Sequence, residues 1–234
     1  MAHEITTVGA RLKYAFETSG HSGERPTSGY VTLANVTEAP EVQMSLETID
    51  VSNTQDETTR YTPGRQDPGG EKQITMNHTD DGIEAWNTLV ALAETNKANN
   101  LRCWWEYRYP NARNSYFFCG TPRKIGNSGF TGNSASTITG SVVFEEDGGW
   151  TTHSTEITPS ATTASVVKNS TTTITLTNYV GTINITSSAP TVATATESSG
   201  TVTINGLAVG TTVLTFKDGN GDKCQVVVTC SAGA

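Results

Sequence analysis

The stretch LRCWWEYRY, residues 101–109, followed by SYFFCG, residues 115–120, decides the fold of the first half of the chain. Leu101, Cys103, Trp105, Tyr107 and Tyr109 alternate with Arg102, Trp104, Glu106 and Arg108, the period of a β-strand. Residues 110–113 form a turn. In the returning strand Tyr116 and Phe118 point one way, Phe117 and Cys119 the other, so both faces are apolar and both need cover. The reading predicts a sheet with a helix on one face, and with another subunit supplying the second cover.

Strands are predicted around this hairpin at 10–17, 29–36, 41–51 and 137–145. The last alternates Ile138, Gly140, Val142 and Phe144. Residues 52–70 read as a long polar loop punctuated by prolines and glycines, a length unusual in a compact domain unless it is functional. One helix follows. Asp80 and Asp81 suit its start by capping and by charge, and Ile83, Trp86, Leu89, Val90 and Ala93 form its packing stripe.

Composition changes near residue 154. Before it lie 12 Lys+Arg, 19 Asp+Glu and 15 aromatic residues; after it, 3, 4 and 2, with 20 threonines. The expected organisation is a first domain at 1–150, a linker at 151–158 and a second domain at 159–234. The second domain reads as about seven short strands separated by turns, with alternation at Val202/Ile204, Thr212/Leu214/Phe216 and Cys224/Val226/Val228/Cys230. That pattern suggests an Ig-like sandwich.

The 234 residues carry a net charge of −8, which argues against grasping nucleic acid, where Lys and Arg must neutralise phosphates. No apolar run is long enough for a membrane helix, and the first 25 residues lack a signal-peptide core, so synthesis is expected to end in a cytosol without membrane insertion. The four histidines and four cysteines show no metal or redox spacing. Reduced thiols are expected. Cys224 and Cys230 lie about 20 Å apart along one strand at ~3.3 Å per residue, too far to bridge. Cys103 and Cys119 could meet across the hairpin, and whether they pair stays open. No Ser/His/Asp arrangement or phosphate loop appears, so no catalytic residue, metal or cofactor is assigned and no enzyme is expected.

Two stretches resemble known families. SSAPTVATATESSGTVTINGLAVGTTVLTFKDGNGDKCQVVVT is similar to bacterial Ig-like domains of group 2, through Ser187, Pro190, Val192, Ala193, Gly200, Val202, Gly206, Gly210, Thr211, Leu214 and Thr215. ETIDVSNTQDETTRYTPGRQDPGGEKQITMNHT resembles a motif of siphophage (lambda-like) major tail tube proteins, through Glu47, Ile49, Asp50, Val51, Ser52, Asp56, Arg60, Tyr61, Pro63, Gly64, Asp67 and Gly69. The resemblance covers about residues 5–148. It implies a mainly β chain: a tail-tube β-sandwich or barrel with one flanking helix, then an Ig-like sandwich. It further implies a structural virion protein, assembled in the host cytoplasm into stacked hexameric rings that conduct DNA without binding it specifically. Its partners would be further copies, a tape measure protein and tail tip and terminator proteins. The Ig-like domain would lie outside and bind host-surface glycans weakly. Asp50, Asp56, Arg60, Tyr61, Arg65 and Asp67 are the expected contacts between subunits or rings, and open sheet edges of the first domain are expected to pair between copies. The alternative is a secreted or surface adhesin carrying an Ig-like module.

Overall fold

The computed structural model describes residues 7–43, 45–67, 70–109, 112–127, 129 and 135–233. It divides into two units. The first is Met1–Pro26 with Thr32–His153; the second is Thr27–Val31 with Ser154–Ala234.

The first unit is a mainly antiparallel sheet with one helix. Its strands are β1 (Arg11–Phe16), β2 (Val31–Thr32), β3 (Val36–Glu38), β4 (Ser45–Asp50), β5 (Tyr61–Asp67), β6 (Glu71–Asn77), β7 (Cys103–Arg108), β8 (Asn114–Pro122), β9 (Gly126–Asn127) and β10 (Thr137–Thr152); α1 spans Asp80–Lys97. The main sheet runs β2-β1-β7-β8-β10-β6-β3, with β9 also on β10, while β4 and β5 pair only with each other.

That order forces the sheet to roll. β2 and β3 are consecutive in sequence yet lie at opposite edges. Seven strands spaced ~4.8 Å apart put the edges of a flat sheet roughly 29 Å from each other. The chain from Thr32 to Val36 reaches at most about 14 Å. Leu33–Asn35 closes the gap: Leu33 N donates to Leu12 O at 2.8 Å and Asn77 N donates to Asn35 O at 2.9 Å. The expected single strand over 29–36 is therefore broken. Asn35 turns the corner at φ 60°, a conformation that Asn tolerates better than most residues. The two edge strands are thus linked by the chain itself, while β2 and β3 are not hydrogen-bonded to each other and remain the ends of the sheet.

The helix is anchored to the same corner. Thr79, not Asp80 or Asp81, is its N-cap, with Thr79 Oγ1 accepting from Gly82 N; the two aspartates occupy the first turn. Asn35 Nδ2 donates to Thr79 Oγ1 at 3.0 Å. Trp86, Leu89, Val90 and Ala93 are buried. With Ile83 half-buried at the margin, Trp86, Leu89 and Val90 pack into a core with Leu12, Ile74, Met76, Trp105, Phe118, Ile138, Val142 and Phe144. Trp86 fits because Gly140 lies beneath it; a Cβ there would sit 2.3 Å from the indole.

The opposite face of β7 and β8 is covered by the chain's own residues rather than left for another subunit. Glu17, Trp104, Glu106, Ser115, Phe117 and Cys119 are all buried. Arg25 lies 4.0 Å over the Phe117 ring. Buried Lys13 stands opposite buried Glu106 in the ladder, a favourable cross-strand charge pair. Trp104 pairs with Cys119, so Cys103, its neighbour, lies on the other face. All four cysteines are free thiols.

The second unit is a sandwich of two four-stranded sheets. One has the order β11 (Thr158–Pro159), β13 (Thr171–Thr177), β16 (Thr201–Gly206), β15 (Ala193–Ser198); the other β12 (Thr163–Val167), β18 (Lys223–Ser231), β17 (Gly210–Lys217), β14 (Asn184–Ser187). β12 runs parallel to β18. This is the Ig-like arrangement of strands. Val202, Ile204, Leu214, Phe216, Val226 and Val228 fill it on the faces the alternation predicted, together with Ile174 and Leu176. The turn DGNGD is closed by Asp218, whose carboxylate accepts from Asp222 N at 2.9 Å and Val180 N at 3.1 Å. Thr27–Val31 completes this unit: Thr155 N donates to Thr27 O at 2.7 Å, and Asn220 donates to Tyr30 O. The stretch 151–158, expected as a linker, is strand at both ends, with Thr151 opposite Ser115 and Thr158 opposite Thr177.

Two substitutions test this packing by urea denaturation. Asn35→Ala loses a left-handed corner and a hydrogen bond and is expected to cost about 2 kcal/mol, with Asn35→Gly recovering the backbone share. Gly140→Ala drives a methyl into the fixed Trp86 and is expected to cost at least ~1–3 kcal/mol, while Gly126→Ala, which meets open space, stays near neutral.

Candidate assembly interface

The residues singled out at 50–67 form a ribbon rather than a long loop. β4 and β5 pair antiparallel, Ile49 opposite Thr62 and Asp50 opposite Tyr61, with a register shift between Leu46 and Thr48. Pro63 and Gly64, read from sequence as loop signals, sit in β5 because a ribbon strand has a free edge where a missing N–H costs nothing.

The connection 51–60 is ordered by its own polar groups. Asp50 Oδ1 accepts from Ser52 N at 2.8 Å, Asp56 Oδ2 from Asn53 N at 2.9 Å, Asn53 Oδ1 from Gln55 N at 2.9 Å, and Ser52 Oγ from Arg60 N at 2.8 Å. The Ser52 side-chain and backbone hydrogen bonds hold the exposed Asp50 carboxyl below its ordinary pKa. Arg60 lies 3.9 Å from Asp56 in the same chain. The side chains of Arg65 and Asp67, expected in the same contacts, lie outside the described residues. Ile49, Val51 and Tyr61 are 52%, 46% and 63% exposed. Ile49 and Val51 share one face, and Tyr61 shares the other with Asp50.

Sequence reasoning missed a second exposed feature, because it ended the last strand at residue 145. β10 continues to Thr152 through two bulges, between Phe144 and Glu146 and between Asp147 and Gly149. Acidic residues and glycines there hide the alternation, and Gly149 takes φ 66°. Bulges re-aim side chains. Here they present Trp150, 62% exposed. Tyr109 stacks on it at 6.1 Å and 27°, and Tyr116 meets it at 5.5 Å and 64°. Tyr116 OH and Gly149 N both donate to Asp147 Oδ1, at 2.7 and 2.8 Å, which fixes the arrangement.

At the other end of β7 lies an ionic knot around the buried Glu17 carboxylate. Glu17 accepts from Gly23 N (3.0 Å), Arg102 N (3.1 Å), Arg102 Nε (3.0 Å) and Trp104 Nε1 (2.9 Å), and Arg102 also reaches Glu146. Burial pushes the Glu17 carboxyl up, but the hydrogen bonds outweigh it and hold the group below its ordinary value. Burial likewise lowers the Arg102 pKa, and its carboxylate partners outweigh that. His153 Nδ1 meets Ser115 Oγ at 2.7 Å and Nε2 meets Ala112 O at 2.5 Å. Ser115 is fully buried, and this pair clamps the strand ends. Among the described residues, no group of three or more His, Cys, Asp or Glu could hold a metal, and no helix is long and apolar enough to cross a membrane.

No family model and no curated protein matches the chain. Solved structures similar to it include domains 1–6 of the surface layer protein SbsC (TM-score 0.32, 17% identity, 95% of this chain and 35% of that one). Others are a chain of the phage P2 baseplate in its activated conformation (TM-score 0.35, 8%, 64% and 46%) and one of the anti-feeding prophage baseplate (TM-score 0.31, 4%, 59% and 88%). This chain thus spans under half the length of the first two.

The Glu17 knot makes a pH prediction. A carboxyl held below its ordinary 4.5 contributes stability above that pH and loses it as pH falls through the folded value. Glu17→Gln is expected to be about 1.5–3 kcal/mol less stable at pH 7, with a smaller further loss on acidification to pH 3 than the parent, as read from urea midpoints.

Proposed function

We propose that this chain is a self-assembling structural subunit, the major tail tube protein of a siphovirus-type virion, made in the host cytoplasm. In this reading hexameric rings stack into a conduit through which DNA passes without specific binding. A tape measure protein and tail tip and terminator proteins are its other partners. The Ig-like unit serves at the outside and contacts host glycans weakly, and the chain carries out no catalysis. The observation that carries the reading is the β4–β5 ribbon. It holds the residues of the tail-tube resemblance from Glu47 to Asp67, pairs with no other described strand, and exposes Ile49, Val51 and Tyr61. A free two-stranded ribbon offers unpaired backbone groups and apolar side chains to another chain. The net charge of −8 favours a conduit that repels phosphate.

Negative-stain imaging of the purified full chain over a concentration series tests this. Rings or tubes are the expected result. Monodisperse particles at every concentration would contradict it.

A further inference from the structure

We propose that Thr27–Val31 is a clasp: the folded Ig-like unit grips this segment and thereby steadies β2 and the closing link Leu33–Asn35 of the first unit. The segment belongs to the second unit, whereas its chain neighbours Pro26 and Thr32 belong to the first. The device is independent of the self-assembly reading above.

Three observations carry it. The first is how the segment is held. Thr155 N donates to Thr27 O at 2.7 Å, Ser28 forms a parallel bridge with Thr155, and Asn220 Nδ2 donates to Tyr30 O. Tyr30 is 2% exposed. A plain connection between domains is exposed and crossed by few contacts, so this one is built to be held. The second is the rigidity of the grip. Asn220 sits in a turn where Asp218 N donates to Asp222 O at 3.1 Å, Gly221 N to Asp218 O at 3.0 Å and Gly219 N to Val180 O at 2.7 Å. The Asp218 carboxylate braces the same turn through Asp222 N and Val180 N. Little freedom is therefore lost when Asn220 engages. The third is what the segment leads into. It runs directly into β2, a strand of only two residues. So short a strand frays unless the chain is tied on both sides. Beyond β2, Asn35 ties it through Thr79. Before it, the chain is fixed to the first unit where Gly23 N donates to Glu17 at 3.0 Å and Arg25 covers the Phe117 ring. Between those ties the clasp takes up the slack, and opening it returns conformational freedom to the residues before the closure.

Residue-resolved amide hydrogen exchange of the full-length chain tests it. Asn220→Ala removes the grip on Tyr30 O and leaves every residue of the first unit unchanged. The amide of Leu33, donor to Leu12 O, is expected to exchange ~2–10-fold faster than in the parent, the factor that one lost hydrogen bond supplies. The amides of Trp105 and Phe118, in β7 and β8, are expected to keep the parent's rates. A segment that merely connects would confine the change to residues 27–31 and the turn at 218–222, and an unchanged Leu33 overturns the proposal. Should Asn220→Ala fail to fold, Val202→Ala decides, because it hollows the sandwich core and leaves the clasp residues intact. It is expected to speed exchange at Leu33 together with the second unit; faster exchange in the second unit alone overturns the proposal. Neither readout depends on assembly, so a chain that forms no rings leaves this test standing.

Discussion

Three residues, Leu33–Asn35, hold the first unit closed. They join strands that the sheet order places at opposite edges, and they do so with a hydrogen bond to β1 on one side and to β6 on the other. Once that link exists, the sheet has to roll around its apolar face, and the volume inside has to be filled. Trp86 fills it, in the space left by Gly140. Asn35 ties closure to the helix, because its side chain bonds the hydroxyl that caps α1. The strands at the two ends of the rolled sheet are short, two residues in β2 and three in β3, so the longer β4–β5 ribbon is the larger unpaired strand surface among the described residues.

The buried charges follow from the same geometry. Rolling the sheet around one face leaves its other face to be covered, and the segment after β1 does this with Glu17 and Arg25. A carboxylate taken from water is tolerable only if paired and hydrogen-bonded. Glu17 meets that condition through two backbone amides, one indole and one guanidinium. Removing Arg102 would leave the charge stranded.

What the sequence disclosed and what it hid have physical reasons. Period-2 alternation marked β7 and the first half of β10, and the 3–4 spacing marked α1, whereas β8 was legible as a short run apolar on both sides because both of its faces are buried. The sandwich was legible through Val202/Ile204 and Leu214/Phe216 because burial on one face imposes a period of two. The N-cap was misplaced by one residue, since Thr79 and Asp80 both suit the position and only the backbone decides between them. Residues 61–67 looked like loop because Pro63 and Gly64 are loop signals everywhere but at a free strand edge. The second half of β10 was invisible because bulges break alternation. Thr27–Val31 joins the second unit through Thr155 and Asn220, pairings too distant in sequence for any local pattern to announce.

The claim on which the rest stands is that Leu33–Asn35 holds the rolled main sheet firmly, whereas the ribbon has no such anchor among the described strands. Amide hydrogen exchange of the dispersed protein measures this most directly. The account predicts that the amides of Leu33 and Asn77, at the closure, are protected to the level of central β7 and β8, while outward-facing amides of β4 and β5 exchange rapidly. Closure amides exchanging as fast as the ribbon, or a ribbon as protected as the sheet interior, would contradict it.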